Sequence, residues 1–219
     1  MFLHQHPYQP FFPTGVTKLI VGTLPPPRFT TRDLKEGDVD FCYGSRDGQL
    51  WQILNRIFNL QLKFETTEEA IRQRIDFLTK NKIGICDAVE YCYREKVDAS
   101  DIGMQQPVCR DLISYLKQYS TINTLLFTGG NSKNGPEYFF RKILKEHDLK
   151  LRLVALDVPK IHEFELDSRI IKTVSLTAPS GAANRAVGSI PLYKELKQKY
   201  PEFTTIDFRV LQYERFFKN

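Results

Sequence analysis

One segment of the chain, residues 41–51 (FCYGSRDGQLW), combines aromatic and short polar side chains in a way that suits recognition of a planar ring. Phe41 and Tyr43 can stack on the faces of such a ring, while Ser45 and Asp47 can hydrogen-bond its edge. A structural interpretation also fits, in which both aromatic residues belong to the core and Asp47 caps the next helix. Ring recognition is therefore a hypothesis that depends on which groups lie nearby.

A carboxylate at the end of a predicted strand is the second group of interest. The segment GICDAVEYC ends its apolar run at Asp87, and burying a carboxylate there is costly unless it is paired or used. A structural salt bridge or a helix cap would satisfy it. In the functional interpretation, Asp87 accepts a hydrogen bond from a ring N–H or an exocyclic amine of a bound ligand.

The segment KLIVGTLPPPRF, residues 18–29, is an apolar strand that runs directly into a proline-rich exit. Consecutive prolines lack backbone N–H groups and hold the chain extended. Ligands of open α/β sheets bind in the crevice at the carboxyl ends of the strands. The exit therefore predicts either a rigid connection or the floor of a ligand site, made by Gly22, Thr23, Leu24 and Pro25.

Two loops rich in small residues follow predicted strands and are candidates for binding backbone phosphates. The loop TGGNSKNGPE offers Lys133 before a helix start, but it lacks the order of a nucleotide-triphosphate loop. The loop LTAPSGAANRAVGS lets a nucleic-acid backbone approach closely. Ordinary tight turns are the alternative for both loops. The candidate phosphate-binding residues of the second loop are Ser180, Gly181, Asn184 and Arg185.

The charge of the chain is unevenly distributed along its 219 residues. The net charge is +5, and from Arg169 onward nine basic residues face four acidic ones. Such a bias fits either a surface that faces nucleic acid or plain solvated helices. No apolar run approaches the roughly 20 residues of a membrane span, and no signal-peptide pattern opens the chain. We therefore expect a cytoplasmic protein that does not contact a membrane.

The four cysteines and four histidines are scattered, and no C-x-x-C pair occurs. The spacing therefore argues against a structural zinc or iron–sulfur site. Reduced thiols are expected in the cytoplasm.

Strand and helix patterns alternate along the chain, which predicts one α/β domain over residues 1–219 with a parallel sheet covered on both sides. Right-handed crossovers place all strand-exit loops on one rim, so the candidate residues should meet there. The predicted strands are KLIV, KIGICDAV, TINTLLFT, LKLRLVAL and IIKTVSLT. The predicted helices are GQLWQILNRIFNL, TTEEAIRQRIDFLTKN, CRDLISYLKQY, GPEYFFRKILKEH, SIPLYKELKQKY and the tail TIDFRVLQYERFF.

In this order the segments resemble the uracil-DNA glycosylase superfamily from about Lys18 to Tyr200, nearest its mismatch-specific uracil and hypoxanthine-DNA glycosylase branches. VGTLPPP is similar to the first Gly-x-x-Pro motif of the family, and FCYGSRDGQLW to the aromatic segment that leads into the next helix. IGICDAVEYCYREKVDASDI resembles a strand-and-loop block of the hypoxanthine branch. APSG resembles the second motif, Pro-Ser followed by a wedge loop.

The resemblance implies a three-layer sandwich in which helices flank a central, mainly parallel four-stranded sheet. It also implies a monomer without metal or cofactor that hydrolyses the N-glycosidic bond of a deaminated or mismatched base, uracil or hypoxanthine, flipped out of double-stranded DNA. In that assignment Tyr43 stacks on the base, Asp87 reads its edge and Ser180 grips a flanking phosphate. The main chain of 22–25 lies beside the base.

The sequence departs from the family pattern at three positions. Leu24 stands where many members have a water-activating Asp or Asn, Gly48 where the hypoxanthine branch has an Asn, and Ala178 where a His often precedes Pro-Ser. Asp47, next to Gly48, is the carboxylate expected to orient the attacking water. The departures leave two alternatives open: a catalytically silent nucleic-acid-binding protein, and a hydrolase of a free nucleoside or another small glycoside.

Overall fold

The computed structural model describes residues 1–218 and has a mixed α/β fold. Its strands are β1 (Phe2–Gln5), β2 (Lys18–Val21), β3 (Ile83–Ile85), β4 (Val89–Arg94), β5 (Gln105–Cys109), β6 (Thr124–Phe127), β7 (Arg152–Ala155), β8 (Lys160–Leu166) and β9 (Arg169–Ser175). Its α-helices are α1 (Pro27–Thr30), α2 (Leu50–Phe58), α3 (Glu68–Lys80), α4 (Leu112–Gln118), α5 (Pro136–Glu146), α6 (Asn184–Ser189), α7 (Pro191–Lys199) and α8 (Thr205–Phe217).

The main sheet has six strands in the order β3-β2-β6-β9-β8-β7. The first four pair in parallel, and β8 and β7 extend the sheet in antiparallel pairing. The expected four-stranded sheet is therefore wrong in its strand number. Asp167 and Ser168, between β8 and β9, both have positive φ, as in the tight turns that connect antiparallel hairpins. This turn makes β8 the antiparallel neighbour of β9, and β7 follows at the edge.

A second, three-stranded antiparallel sheet has the order β1-β4-β5 and was not anticipated from the sequence. Strand β1 pairs with β4 from Phe2 opposite Arg94 to Gln5 opposite Tyr91. The backbone N–H of His6 continues this pairing to the Glu90 carbonyl at 2.8 Å. The pairing carries the N-terminal segment to the carboxyl end of β3, where Asp87 lies.

The main sheet is covered on both faces, because successive residues of its strands enter two separate cores. Leu19 and Val21 of β2 pack with residues of α4 and α5, whereas Ile20 packs with residues of α2, α3 and α8. Strand β6 divides in the same way, with Leu125 on one side and Leu126 on the other. Burial on both faces explains why these strands are continuous apolar runs. No helix within residues 1–218 has the length and apolar character needed to cross a bilayer.

A buried ion pair fixes the long connection between α1 and α2. Asp38 is inaccessible to solvent, and its carboxylate accepts hydrogen bonds from Arg28 Nε at 2.7 Å and Arg28 Nη2 at 2.8 Å. The backbone N–H groups of Lys35 and Arg46 also donate to it. Burial opposes ionisation, but the Arg28 hydrogen bonds and the Arg46 N–H outweigh it and lower the pKa of Asp38 to about 2. The loop around residue 43 is thereby held against α1.

Replacing Asp38 by Asn should lower the free energy of unfolding at pH 7 by about 3 kcal/mol, because it removes one partner of a buried charge pair. The stabilisation from ionised Asp38 is present above its ordinary pKa of 3.8 and is lost as the pH falls towards about 2. Urea denaturation from pH 7 to pH 2 should therefore show that the difference in free energy of unfolding between the wild-type protein and Asp38→Asn shrinks below pH 4. The control is Glu163→Gln, which breaks the exposed pair with Arg152 and should change less than about 1 kcal/mol. A difference that stays constant down to pH 2 would contradict the assignment.

Candidate active site

A cavity of about 310 Å³ lies at the carboxyl edge of the parallel strands. The proline-rich exit of β2, residues 23–26, forms one part of its wall. Tyr43 and Gly48 come from the connection before α2, Asp87 from the end of β3 and Thr128 from the end of β6. The segment after β9 completes the wall with Ala178, Pro179 and Ser180. The strand exits that the sequence predicted to share a rim therefore share one cavity.

The loops on two sides of the cavity are joined directly. The backbone N–H of Gln49 donates to the Pro179 carbonyl at 2.8 Å, and Gly48 bridges Ser180 in antiparallel fashion. From beneath, the buried guanidinium of Arg209 in α8 donates to the carbonyls of Ala178 and Ser180 at 2.8 and 3.0 Å. These contacts hold the segment after β9 in one position relative to α2.

Asp87 is buried at the base of the cavity and is hydrogen-bonded from three separate parts of the chain. The Gly22 N–H lies 3.1 Å from its Oδ1, the His6 Nε2 lies 3.0 Å from its Oδ2, and the Tyr43 hydroxyl is a third partner. His6 Nδ1 accepts from the Tyr8 N–H, so Nε2 carries the proton and donates. Burial opposes ionisation of Asp87, but the hydrogen bonds from His6 and Tyr43 and the positive charge of Arg110 outweigh it and lower its pKa.

Tyr43 stands in a strained backbone conformation. Its φ is +57°, in the left-handed region that bulky residues rarely occupy. Its hydroxyl lies 3.0 Å from Thr128 Oγ1, and burial beside Asp87 raises its pKa well above the ordinary value. Strain of this kind persists where the surroundings fix a side chain, commonly at ligand sites. The phenol therefore stays neutral and its ring is held at the cavity wall.

Asp47 also lines the cavity but lies at its exposed mouth. Its side chain is 70% exposed, and its Oδ2 is 3.2 Å from Arg28 Nη2. Ser45, on the same wall, accepts a hydrogen bond from Arg28 at 2.8 Å. The Asp47 carboxylate is thus oriented by a guanidinium that is itself held by the buried Asp38. This geometry keeps Asp47 beside both water and the cavity.

A third carboxyl group, Asp101, was not assigned a role from the sequence. It lines this cavity and a neighbouring one of about 500 Å³. Thr23 Oγ1 donates to its Oδ1 at 2.8 Å. Burial raises the pKa of Asp101, although the Thr23 hydrogen bond and the charge of Arg94 oppose the rise. Asp101 therefore holds a proton more readily than an ordinary aspartate does.

The remaining predicted residues divide into three groups. Phe41 is absent from the cavity wall, because its ring packs against Trp51 at 6.2 Å and against Tyr8 at 6.4 Å between centroids. Lys133 is exposed in the loop after β6, and the predicted phosphate-binding residues Gly181, Asn184 and Arg185 are exposed in a 3-10 turn and in helix α6 at the same edge of the sheet. Thr23, Leu24, Pro25, Ser45 and Ser180 line the cavity.

Sequence reasoning missed His6 and Asp101 and gave Thr128 no role beyond ending a strand. The sequence did mark Thr128 as the end of a predicted strand, and that position was a signal that it could face the site. Asp101 lies within the quoted segment DASDI, but nothing local marks it as facing a cavity. His6 reaches Asp87 from 81 residues away, so only the fold connects them.

Comparison with known proteins supports the fold alone. No family model and no curated protein matches the chain. Among solved structures it is similar to the solution NMR structure of a "putative Uracil DNA glycosylase" from Methanosarcina acetivorans. The TM-score is 0.57 and the identity 14%, over 99% of this chain and 98% of that one. The chain therefore shares the fold of that structure, while membership of the superfamily and of either branch stays a prediction.

Gly22→Ala should disrupt the site, because the added Cβ would clash with the Tyr43 hydroxyl and lie 2.7 Å from Asp87 Oδ1. We expect the free energy of unfolding to fall by about 1–3 kcal/mol, the usual cost of overpacking, and the Tyr43 ring to move. Gly130→Ala is the matched control in the loop after β6, since its Cβ would have nothing within 4 Å. Denaturation and Tyr ring NMR signals would test both. Equal stability of the two variants would argue against this packing.

Proposed function

We propose that the cavity receives a nucleobase flipped out of DNA and that the protein hydrolyses the N-glycosidic bond of a deaminated or mismatched base, uracil or hypoxanthine. The observation that carries the proposal is the convergence of Tyr43, Asp87 and Ser180 on one cavity. Its volume of about 310 Å³ is at the small end of the range for ligand pockets, roughly 300–1,000 Å³, and suits one ring system. The fold similarity to a protein named as a putative uracil DNA glycosylase adds support.

Recognition of the base rests on Tyr43 and Asp87. Stacking of a base on an aromatic ring contributes about 1–3 kcal/mol, which offsets part of the cost of unstacking it from the duplex. A carboxylate has about four acceptor positions, and the protein's own groups that reach Asp87 are His6, Gly22 and Tyr43. One position is left for a ring N–H of the base.

The chemistry requires a water molecule to attack C1′ of the sugar while the bond to the base nitrogen breaks and the base leaves with the bonding electrons. The transition state has oxocarbenium character, which a nearby carboxylate stabilises. Asp47 lies beside both solvent and the cavity and is our choice for orienting the water and accepting the proton that the water loses on attack. Asp101, whose pKa is raised by burial, is our choice for giving a proton to the departing base.

The DNA backbone would run along the loops at the carboxyl edge of the sheet. Ser180 lines the cavity, and the two helices that follow it expose Arg185 in α6 and Lys194 and Lys197 in α7. Lys133 is exposed in the loop after β6 at the same edge. Basic side chains in these positions match the phosphates that flank a flipped nucleotide.

Asp47→Ala should lower the single-turnover rate of base excision by about 10²-fold or more, the scale of one positioned acid–base group. Affinity for the damaged duplex should change little, because Asp47 makes no proposed contact with phosphate. Asp87→Ala should instead change the preference among uracil, hypoxanthine, xanthine and mismatched thymine. Asp76→Ala, an exposed aspartate of α3, is the matched control and should excise at the wild-type rate.

The same assay distinguishes the alternatives. If Asp47→Ala excises at the wild-type rate and Asp87→Ala is inactive, the roles of the two aspartates, orienting the water and reading the base, are exchanged. Duplex binding without excision of any base by the wild-type protein would favour a silent nucleic-acid-binding protein. Release of bases from free nucleosides, together with no DNA binding, would favour a small-glycoside hydrolase.

Reversing the charges of Arg185, Lys194 and Lys197 should weaken duplex binding for all sequences alike. The slope of log K against log salt should fall by about 0.9 for each phosphate contact that is lost. The control reverses Lys80, Lys117 and Lys145, which are exposed near the C-terminal ends of α3, α4 and α5. These helix ends lie at the opposite edge of the sheet. Equal losses of affinity in the two triple variants would exclude the proposed surface.

A further inference from the structure

The two outer edges of the main sheet differ in how they are covered. The edge at β3 is covered, because Phe11 and Ile85 exchange backbone hydrogen bonds of 3.0 and 2.9 Å. At the other end the strand order stops at β7, and within residues 1–218 no further strand or isolated bridge lies against it. An uncovered edge strand presents backbone N–H and C=O groups to which another strand can bind.

Bulky apolar side chains are grouped at this uncovered edge, in β7 and in the connection that follows it. The exposed fractions are 48% for Leu153, 49% for Val154, 67% for Leu156 and 48% for Val158. The pairing of β7 with β8 shifts between Leu153 and Ala155. A bulge of this kind twists an edge strand, but it leaves these four side chains in solvent. Grouped apolar side chains on a surface mark interaction sites.

The sequence of the edge, RLVALD over residues 152–157, is complementary to itself when it is read in the opposite direction. Antiparallel pairing about an axis between positions 154 and 155 sets Arg152 opposite Asp157 of a second copy. The same register sets Leu153 opposite Leu156. We propose that this edge pairs with the same edge of a second copy of the chain, in a dimer with twofold symmetry. Such a dimer differs from the monomer that the family resemblance implies.

The charged ends of the segment have capacity left for this pairing. The Arg152 side chain is 72% exposed, and its Nη2 donates to Glu163 Oε2 at 2.6 Å. A guanidinium has five N–H groups in a planar fork, so others remain for a carboxylate of the second copy. Asp157 is exposed, and its carboxylate has no hydrogen bond or ion pair in the part of the chain that the structure describes. Opposite charges and apolar side chains that face each other across antiparallel strands are both stabilising.

The proposed interface is separate from the candidate active site. No residue of β7 or β8 lines the cavity of about 310 Å³. Pairing at β7 therefore covers no residue of that cavity, and the inference does not depend on the proposed function.

Sedimentation velocity at increasing protein concentration tests the dimer, and the wild-type protein should pass from monomer to dimer. Arg152→Asp sets two carboxylates opposite each other, and Asp157→Arg sets two guanidinium groups opposite each other. Because each change occurs twice in a twofold interface, each should weaken dimerisation by about 10-fold or more. The double variant restores opposite charges and should recover most of the wild-type dimerisation. Glu163→Gln is the control for loss of the pair that Arg152 makes within its own chain.

The apolar part of the interface is tested by Leu153→Lys, which should abolish dimerisation. Leu192→Lys is the matched control, because Leu192 is 47% exposed and lies in α7. Urea denaturation of both variants checks that the fold is kept, as expected for exposed positions.

Three outcomes overturn the inference. A wild-type protein that stays monomeric at every concentration would leave the β7 edge to a strand of a different protein. A dimer that the single charge variants or Leu153→Lys do not weaken would have its interface elsewhere. A double charge variant that recovers no dimerisation would exclude the antiparallel register.

Discussion

The buried charge of Asp87 is the constraint on which the arrangement of the site depends. A carboxylate removed from water is tolerated only where donors surround it, and the chain brings them from three places. The Gly22 N–H comes from β2, the imidazole of His6 from the N-terminal segment, and the hydroxyl from Tyr43. Satisfying one charge therefore fixes the ends of two neighbouring strands, the second sheet and the aromatic loop relative to one another.

One ion pair and one separate buried guanidinium hold the walls without lining the cavity. Arg28 and Asp38 fix the connection that carries Tyr43 and Asp47, and Arg209 fixes the segment that carries Ser180 through its carbonyl groups. Each guanidinium is used for several hydrogen bonds within the chain, which suits its planar array of donors. The rigidity of the wall thus comes largely from one ion pair and from hydrogen bonds to backbone carbonyls behind it.

The sequence predicted the parallel core and the meeting of strand exits because both follow from local periodicity and one topological rule. It did not predict β8, whose buried face is His162, Phe164 and Leu166. The polar His162 on that face interrupts the alternation of apolar and polar residues by which a strand is recognised. Phe41 and Tyr43 look equivalent in the sequence, yet only Tyr43 reaches the cavity. Their difference is set by packing against Trp51, a tertiary contact that no local pattern encodes.

The three carboxyl groups of the cavity differ in environment, and this difference suits the combination of recognition and proton transfer that we propose. Hydrogen bonds lower the pKa of Asp87, burial raises that of Asp101, and Asp47 stays in water beside Arg28. Environments that separate the pKa values of neighbouring groups are typical of acid–base sites. Asp101 is half-buried, accepts a hydrogen bond from Thr23 and lines the open cavity, so a carboxyl group with a raised pKa lies where the proposed chemistry needs a proton donor.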